Sequence, residues 1–133
     1  MKLWKDTLAV VLAPNHPLVS RPVIEWSELG QETLLVHRGE AFLLADAVGN
    51  GVQLPAIVEH HVSAGILLRL VGNGLGVALI HEGDAGGVPD AVCRKLRIGS
   101  KPIQICNFAR WRQDNANPAL PIFIDFLRDR YSS

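Results

Sequence analysis

The chain has 133 residues, the length of a single domain, and is 48% hydrophobic and 20% charged, which excludes a disordered tail and a collagen-like fibre. Thirteen basic residues balance thirteen acidic ones, so no surplus of positive charge is present to hold nucleic acid phosphates, and we expect no direct nucleic acid contact. The longest apolar run, Leu8–Ala13, is far shorter than the ~20 residues of a membrane span. We therefore expect a soluble, cytoplasmic protein without membrane association.

The first half of the chain alternates between strand and helix patterns. The apolar run Leu8–Ala13 predicts a strand that is buried on both faces. Ile24–Leu29 predicts a short helix and Thr33–Val36 a second strand. Ala41–Val48 predicts a helix, which the glycines and asparagine of residues 49–51 close.

The middle of the chain contains the clearest helix. Leu54–Val58 predicts a strand, and Pro55 within it favours the edge of a sheet. Gly76–Ile80 predicts another strand, followed by a loop over 83–89. Between these strands, the apolar residues that repeat at helical spacing are Val62, Ile66, Leu67, Leu70 and Val71.

The last third of the chain predicts two weaker strands and a final helix. The strands are Ala91–Leu96 and Pro102–Phe108, and the helix spans Ala119–Tyr131. This helix is apolar on two sides, which is typical of a helix buried between two partners. The alternation of strands and helices predicts an α/β fold, a three-layer sandwich with a small, mostly parallel sheet.

The glycine-rich run of residues 72–76, GNGLG, superficially resembles a nucleotide-binding fingerprint. That fingerprint follows a strand and opens a helix, whereas this run follows a helix and opens a strand. The glycines are therefore interpreted as a helix cap and a tight turn.

Residues for metal binding or catalysis are sparse. Glu59, His60, His61 and His81 form the densest group of possible ligands, but an extended backbone points His60 and His61 to opposite faces. Ser63 lies close to two histidines without the elbow motif of a serine hydrolase. We expect no catalytic residue, metal or cofactor, and a hydrolase built on Ser63 is the weakest alternative.

The two cysteines, Cys93 and Cys106, lack the spacing of a redox or zinc motif and are interpreted as free thiols in a reducing compartment.

Two strand-to-helix junctions carry the residue types of a binding site. Residues 59–65 lead into the best helix, whose free backbone N–H groups favour a carboxylate or phosphate, and Ser63 can donate a hydrogen bond there. Arg38 in the earlier junction offers a planar fork that matches a carboxylate. Such junctions meet at the carboxyl ends of parallel strands. The alternative is that Arg38 and Glu59 are solvated loop charges, and spacing alone does not decide between the two.

Four segments in register give the chain a family resemblance. EHHVSAGILLRLVGNGLGVALI (59–80) and LWKDTLAVVLAPNHPLVSRPVIEWSELGQETLLVHRG (3–39) resemble segments of the effector-binding domain of LysR-type transcriptional regulators. GVPDAVCRKLRI (87–98) and NPALPIFIDFLRDR (117–130) are similar to the segments that leave the second lobe and form the last helix. The resemblance covers nearly the whole chain in the right order.

The resemblance implies a fold and a domain organisation. The chain would hold the second lobe of a domain similar to type-2 periplasmic binding proteins, at residues 1–101, and a crossover strand and helix returning to lobe one, at 102–133. The DNA-binding module and the first half of lobe one would be absent, so the expected function is that of a truncated, ligand-sensing and non-catalytic domain.

The resemblance also implies a site and partners. Effector contacts would come from His37, Arg38 and Gly39 in one loop, and from a second loop with Glu59, His60, His61 and Ser63. The ligand class would be a small organic acid, and residues 102–133 would cover a second copy of the chain in a homodimer. The alternative is a module that pairs with itself or with an intact regulator without binding a ligand.

Overall fold

The computed structural model describes residues 1–49, 51–87 and 90–131. Residue 50, in the turn predicted to close the first helix, and residues 88–89 of the predicted 83–89 loop lie outside the described residues. The strands are β1 Lys2–Leu12, β2 Val23–Glu25, β3 Thr33–His37, β4 Ala56–His60, β5 Ala78–His81, β6 Val92–Ile98, β7 Lys101–Pro102 and β8 Gln104–Phe108. The α-helices are α1 Ala41–Val48, α2 Ala64–Gly72 and α3 Ala119–Tyr131, and 3-10 helices span Pro17–Ser20, Trp26–Leu29 and Glu82–Gly87.

The sheet is mixed, which corrects the prediction of a mostly parallel one. β1 pairs antiparallel with both β5 and β6, while β2 runs parallel to β6 and β3 runs parallel to β4. A parallel bridge between Leu34 and Val77 joins β3 to the residue just before β5. The apolar run in β1 predicted parallel neighbours, but a strand covered on both faces is uniformly apolar whichever way its neighbours run.

Alternate residues of the strands face two separate apolar clusters. Val10 of β1 packs in the cluster that includes Leu44 of α1. Val11, its neighbour, packs in a second cluster with Leu67 and Val71 of α2. Because successive side chains of a strand point to opposite faces, α1 and α2 cover opposite sides of the sheet. The predicted α/β class and its three layers are confirmed.

The segment predicted as a helix over Ile24–Leu29 is instead a strand followed by a 3-10 turn. Ile24 pairs with Leu96 of β6 and is completely buried, and Leu29 is equally buried at the end of the turn. The Trp26 indole N–H donates a hydrogen bond to the carbonyl of Gln53 at 2.9 Å. Six residues are too few for an α-helix that is stable on its own, so sheet pairing decides the conformation.

The glycine-rich run of residues 72–76 ends α2 and leads back into the sheet, as predicted. α2 ends at Gly72, and Gly74 adopts a φ of +81°, which only glycine takes up readily. A Cβ at Gly76 would lie 2.6 Å from the carbonyl oxygen of Thr33 in β3. The run is thus a turn that needs close backbone approach.

Contacts divide the chain into two units, Thr7–Ile105 and Met1–Asp6 with Cys106–Ser133. The first unit contains both apolar clusters and both predicted site loops. The assignment of residues 1–101 to lobe two and 102–133 to lobe one stays a prediction.

The smaller unit is built around α3, whose bounds agree with the predicted helix. Ile124 and Leu127 are its buried residues, and the ring of Tyr131 lies 5.1 Å from that of Trp4. A second apolar side of the helix is open, since Ile122 is 73% exposed and Phe126 is 57% exposed. The two apolar sides seen in the sequence are therefore unequal in burial.

Candidate functional site

The two predicted site loops begin side by side. β3 ends at His37 and β4 ends at His60, and the parallel register pairs these two histidines directly. The Arg38 backbone N–H donates to the carbonyl of His60 at 3.3 Å, which holds the first loop against the end of β4. The carboxyl ends of neighbouring parallel strands thus meet at one edge of the sheet, as the sequence predicts.

Strand alternation separates the side chains of these residues. Leu35 of β3 packs on the α2 side, so His37, two residues on, points to that side as well. Ile57 of β4 packs in the cluster on the other side, which places His60 with His37 on the α2 side. Glu59 then points away from both histidines. The two imidazoles are neighbours, and the carboxylate is not part of their pair.

Ser63 is the N-cap of α2. Its hydroxyl oxygen accepts a hydrogen bond from the backbone N–H of Ile66 at 3.3 Å, which satisfies one of the orphan donors of the first turn. The hydroxyl hydrogen remains able to donate. The N–H groups of Ala64 and Gly65 lie in the same first turn, and a Cβ at Gly65 would meet no atom within 4 Å.

The first loop is open to solvent at its tip. Arg38 and Gly39 are exposed, as are Glu59, which lies within β4, and His61, which directly follows that strand. Gly39 has a φ of +82°, so the loop turns sharply away after Arg38. Within residues 1–49, 51–87 and 90–131, neither the Arg38 guanidinium nor the Glu59 carboxylate makes a hydrogen bond or ion pair.

The described residues contain no cluster of three or more His, Cys, Asp or Glu side chains that could hold a metal ion. His81 ends β5, on a different strand from the other histidines. Neither Cys93 nor Cys106 is in a disulfide. Burial raises the pKa of the Cys93 thiol above its ordinary value, and the Arg94 guanidinium beside it lowers that pKa by a smaller amount.

Sequence reasoning missed a cavity of about 330 Å³ in the same unit, which Lys95, Arg97 and Ser100 help to line. The signal that could have found it is the alternation of charged and apolar residues in the second half of β6, Lys95, Leu96, Arg97 and Ile98. An alternating strand has one solvated face, whereas a strand buried between two helices is apolar throughout.

The fold is similar to that of the regulatory domains of LysR-type regulators. The C-terminal domain of a probable LysR family regulator from Rhodococcus sp. RHA1 superposes with a TM-score of 0.71 at 18% identity, over 96% of this chain and 65% of that one. The regulatory domain of MetR from N. meningitidis gives 0.71 at 20% identity, over 98% and 62%. The effector-binding domain of QuiR, in complex with shikimate, gives 0.73 at 17%, over 96% and 62%. Identities this low show the fold, which resembles periplasmic binding proteins.

Residues 1–132 match the family model of the LysR substrate binding domain, and the chain belongs to that family. It is also 30% identical over 90 residues to YvbU, an uncharacterized HTH-type transcriptional regulator of Bacillus subtilis (strain 168). That match covers 65% of this chain and 30% of YvbU. The chain thus spans under a third of this relative and about two thirds of the solved domains above.

None of the helices in the described part of the chain has the length and apolar character needed to cross a membrane.

Proposed function

We propose that the chain is the ligand-sensing part of a LysR-type transcriptional regulator and binds a small organic acid reversibly, without catalysis. Family membership supports the sensing role. Shikimate, the molecule held by QuiR, is a hydroxylated carboxylate, which supports the ligand class. As part of a regulator of transcription the chain would act in the cytoplasm, and its balanced charge leaves direct contact with DNA to other parts of the protein.

One observation carries the proposal: two loops and a helix N-terminus meet where β3 and β4 end. The Arg38 guanidinium has no partner among the described residues. Arg38 follows His37 directly, and its backbone N–H donates to the carbonyl of His60, the residue paired with His37. A guanidinium group with free N–H donors and two neighbouring imidazoles can together bind a carboxylate.

The start of α2 would complete the site. The N–H groups of Ala64 and Gly65 and the hydroxyl hydrogen of Ser63 are donors near the positive end of the helix dipole. His61 and Glu59, both exposed, would form the rim of the site and contact the polar substituents of the ligand. Gly39, with no side chain, lets a ligand approach the first loop.

Ser63 supports binding better than hydrolysis. Its oxygen is engaged by the Ile66 N–H, and no hydrogen bond joins it to a histidine among the described residues. A serine nucleophile needs a base within hydrogen-bond reach to remove its proton. The hydrolase alternative therefore has no activated nucleophile.

Calorimetric titration with shikimate and a panel of other small carboxylates tests the proposal, using Arg38→Gln and the matched control Arg69→Gln. Arg69 is also an exposed arginine, on α2 outside the proposed site. A charged hydrogen bond is worth about 1.5–3 kcal/mol, and the exposure of Arg38 places it at the low end. We expect a dissociation constant about tenfold higher for Arg38→Gln and unchanged for Arg69→Gln. Equal affinity in both variants would remove Arg38 from the site, and no binding by any carboxylate would refute the sensing role.

We also propose that the chain forms a homodimer through residues 102–133. The observation that favours it is the open side of α3, where Ile122, Phe123 and Phe126 are 73%, 56% and 57% exposed. Apolar side chains that cluster on one exposed helix face usually mark an interaction surface. Pairing with an intact regulator through the same face is the alternative.

Light scattering after size exclusion measures the oligomeric state directly. Phe123→Ser with Phe126→Ser should convert a dimer to a monomer, while Leu75→Ser, which changes a 61% exposed apolar residue in the other unit, should not. A wild-type monomer at micromolar concentration contradicts the homodimer, and capture of an intact regulator by that monomer would then support the alternative.

A further inference from the structure

The cavity noted above lies on the α2 side of the sheet but beyond the helix. Thr7 and Lys95 line it, and they belong to β1 and β6. The strand order places β5 between Thr7 and the loops after β3 and β4, and both β1 and β5 between Lys95 and those loops. The cavity is therefore separate from the proposed effector site, although both are in the unit Thr7–Ile105.

The sequence of β6 explains why this part of the sheet is polar. Leu96 packs into the cluster on the α1 side, so Lys95 and Arg97 point to the α2 side. α2 packs against β3 and β5, and from β6 Cys93, near the start of the strand, packs against the α2 cluster. The wall of the cavity is completed by Glu82, directly after β5, and by Ser100 in the turn after β6.

Hydrogen bonds to the Glu25 carboxylate hold Arg97 at one side of the cavity. The Glu25 carboxylate accepts a hydrogen bond from the Arg97 Nε at 3.2 Å and another from the Gly99 backbone N–H. The remaining guanidinium N–H groups of Arg97 make no hydrogen bond with a described residue. The hydrogen bonds to Glu25 thus hold Arg97 in place while leaving some of its N–H donors for a ligand. Such preorganisation lowers the free-energy cost of binding.

Lys95 is the second cation of the cavity. Among the described residues its ammonium group has no ion pair or hydrogen bond, whereas Arg97 already shares its charge with Glu25. The hydroxyls of Thr7 and Ser100 add donors beside it. The Glu82 carboxylate supplies an acceptor on the same cavity wall, which suits a ligand that also carries a hydroxyl group.

We propose that this cavity is a second ligand-binding site, for a small hydroxy-carboxylate, and that it works independently of the loops at His37 and His60. Lys95 and Arg97 hold the carboxylate, the hydroxyls of Thr7 and Ser100 donate to it, and Glu82 accepts from the ligand hydroxyl. The volume of about 330 Å³ is at the small end of ligand pockets, which span roughly 300–1,000 Å³. The inference goes beyond the proposed function and does not depend on it.

Amide chemical-shift titration of the ¹⁵N-labelled chain with L-malate, at constant ionic strength, tests the site. We expect saturable shifts at Thr7, Lys95 and Arg97, and a dissociation constant about tenfold higher in Lys95→Gln. Lys101→Gln is the matched control, because Lys101 is an exposed lysine of the neighbouring β7 that does not line the cavity. Succinate, which lacks the hydroxyl, should bind more weakly than L-malate.

The variants separate this site from the proposed effector site. Arg38→Gln should leave the shifts at Lys95 and their saturation unchanged. Shifts confined to residues 37–39 and 59–63, or an L-malate affinity that Lys95→Gln leaves at the wild-type value, would overturn the proposal. Absence of any saturable shift at Thr7, Lys95 and Arg97 would overturn it as well.

Discussion

Replacing Gly76 by alanine should strongly destabilise the chain, because the added methyl group has no room. Its Cβ would lie 2.6 Å from the Thr33 carbonyl oxygen and 2.8 Å from the Leu35 Cγ. Neither neighbour can move freely. Leu35 is only 3% exposed, and the Thr33 oxygen accepts the Val77 N–H at 2.9 Å in the contact that joins β3 to the chain entering β5.

The magnitude follows from two losses. Overpacking a filled site costs typically 1–3 kcal/mol, and weakening the Thr33–Val77 hydrogen bond adds about 0.5–1.5 kcal/mol. We expect the free energy of unfolding to fall by about 3 kcal/mol, which corresponds to a melting temperature roughly 10 °C lower for a chain of this length. Urea unfolding followed by circular dichroism measures the change.

Gly65→Ala is the matched control for this substitution. Gly65 lies in the first turn of α2, and a Cβ there would meet no atom within 4 Å. Alanine in a helix restricts the unfolded chain more than glycine does, so this variant should gain up to about 0.5–1 kcal/mol. The two Gly→Ala changes should therefore have opposite signs. A Gly76→Ala variant as stable as the wild type would refute the reasoning, because it would mean that β3 and the turn are not in contact.

Two further predictions concern the cap of α2 and the partly buried thiol of Cys93. Ser63→Ala should lower the free energy of unfolding by about 0.5–1 kcal/mol in urea titration, because the Ile66 N–H loses its hydrogen-bond partner. Ser63→Thr should retain most of the stability, since threonine keeps the hydroxyl group. Equal stability of the wild type and both variants would contradict the capping role. Burial raises the pKa of the Cys93 thiol above its ordinary value of 9.0, so the folded chain holds that proton to higher pH than the unfolded chain. The stability that this provides is lost as the pH rises from that ordinary value towards the folded pKa. The rate of Cys93 alkylation, followed by mass spectrometry, should accordingly reach its midpoint at higher pH in the folded chain than in urea, and coincident midpoints would contradict the effect of burial.

The bounds of a helix could be predicted from the sequence where the residues of the helix themselves define it. Ala41–Val48 and Ala119–Tyr131 agree with their predictions because apolar spacing defines both helices, and Gly49 ends the first of them. In α2 the predicted apolar stripe is narrower than expected, since Ile66 is 48% exposed while Leu67 and Val71 are buried. The sheet against which α2 packs decides which part of its apolar stripe is buried. The spacing of the apolar residues does not contain that information.

The candidate site was predictable for a similar reason. Residues 37–39 and 59–63 were predicted as a site because a strand end and a helix start leave donors that any sequence of this pattern would present, and their role in binding stays a prediction. Their adjacency, with His37 paired to His60, required the parallel register of β3 and β4. The cavity beside Lys95 was not predicted from the sequence, because the strands that form its walls, β1, β2 and β6, are far apart in the chain.

The sequence alone determined the α/β class, most of the elements and the two loops that begin at β3 and β4, because these follow from local spacing and composition. The family resemblance came from the sequence as well, through four segments in register. Only the tertiary structure decided the antiparallel direction of β1 against its neighbours, the strand at Val23–Glu25 in place of a helix, and the open apolar side of α3. Each of these features depends on which distant segment of the chain lies alongside. The free energy of that contact comes from residues of both segments, so the sequence of one segment does not reveal it.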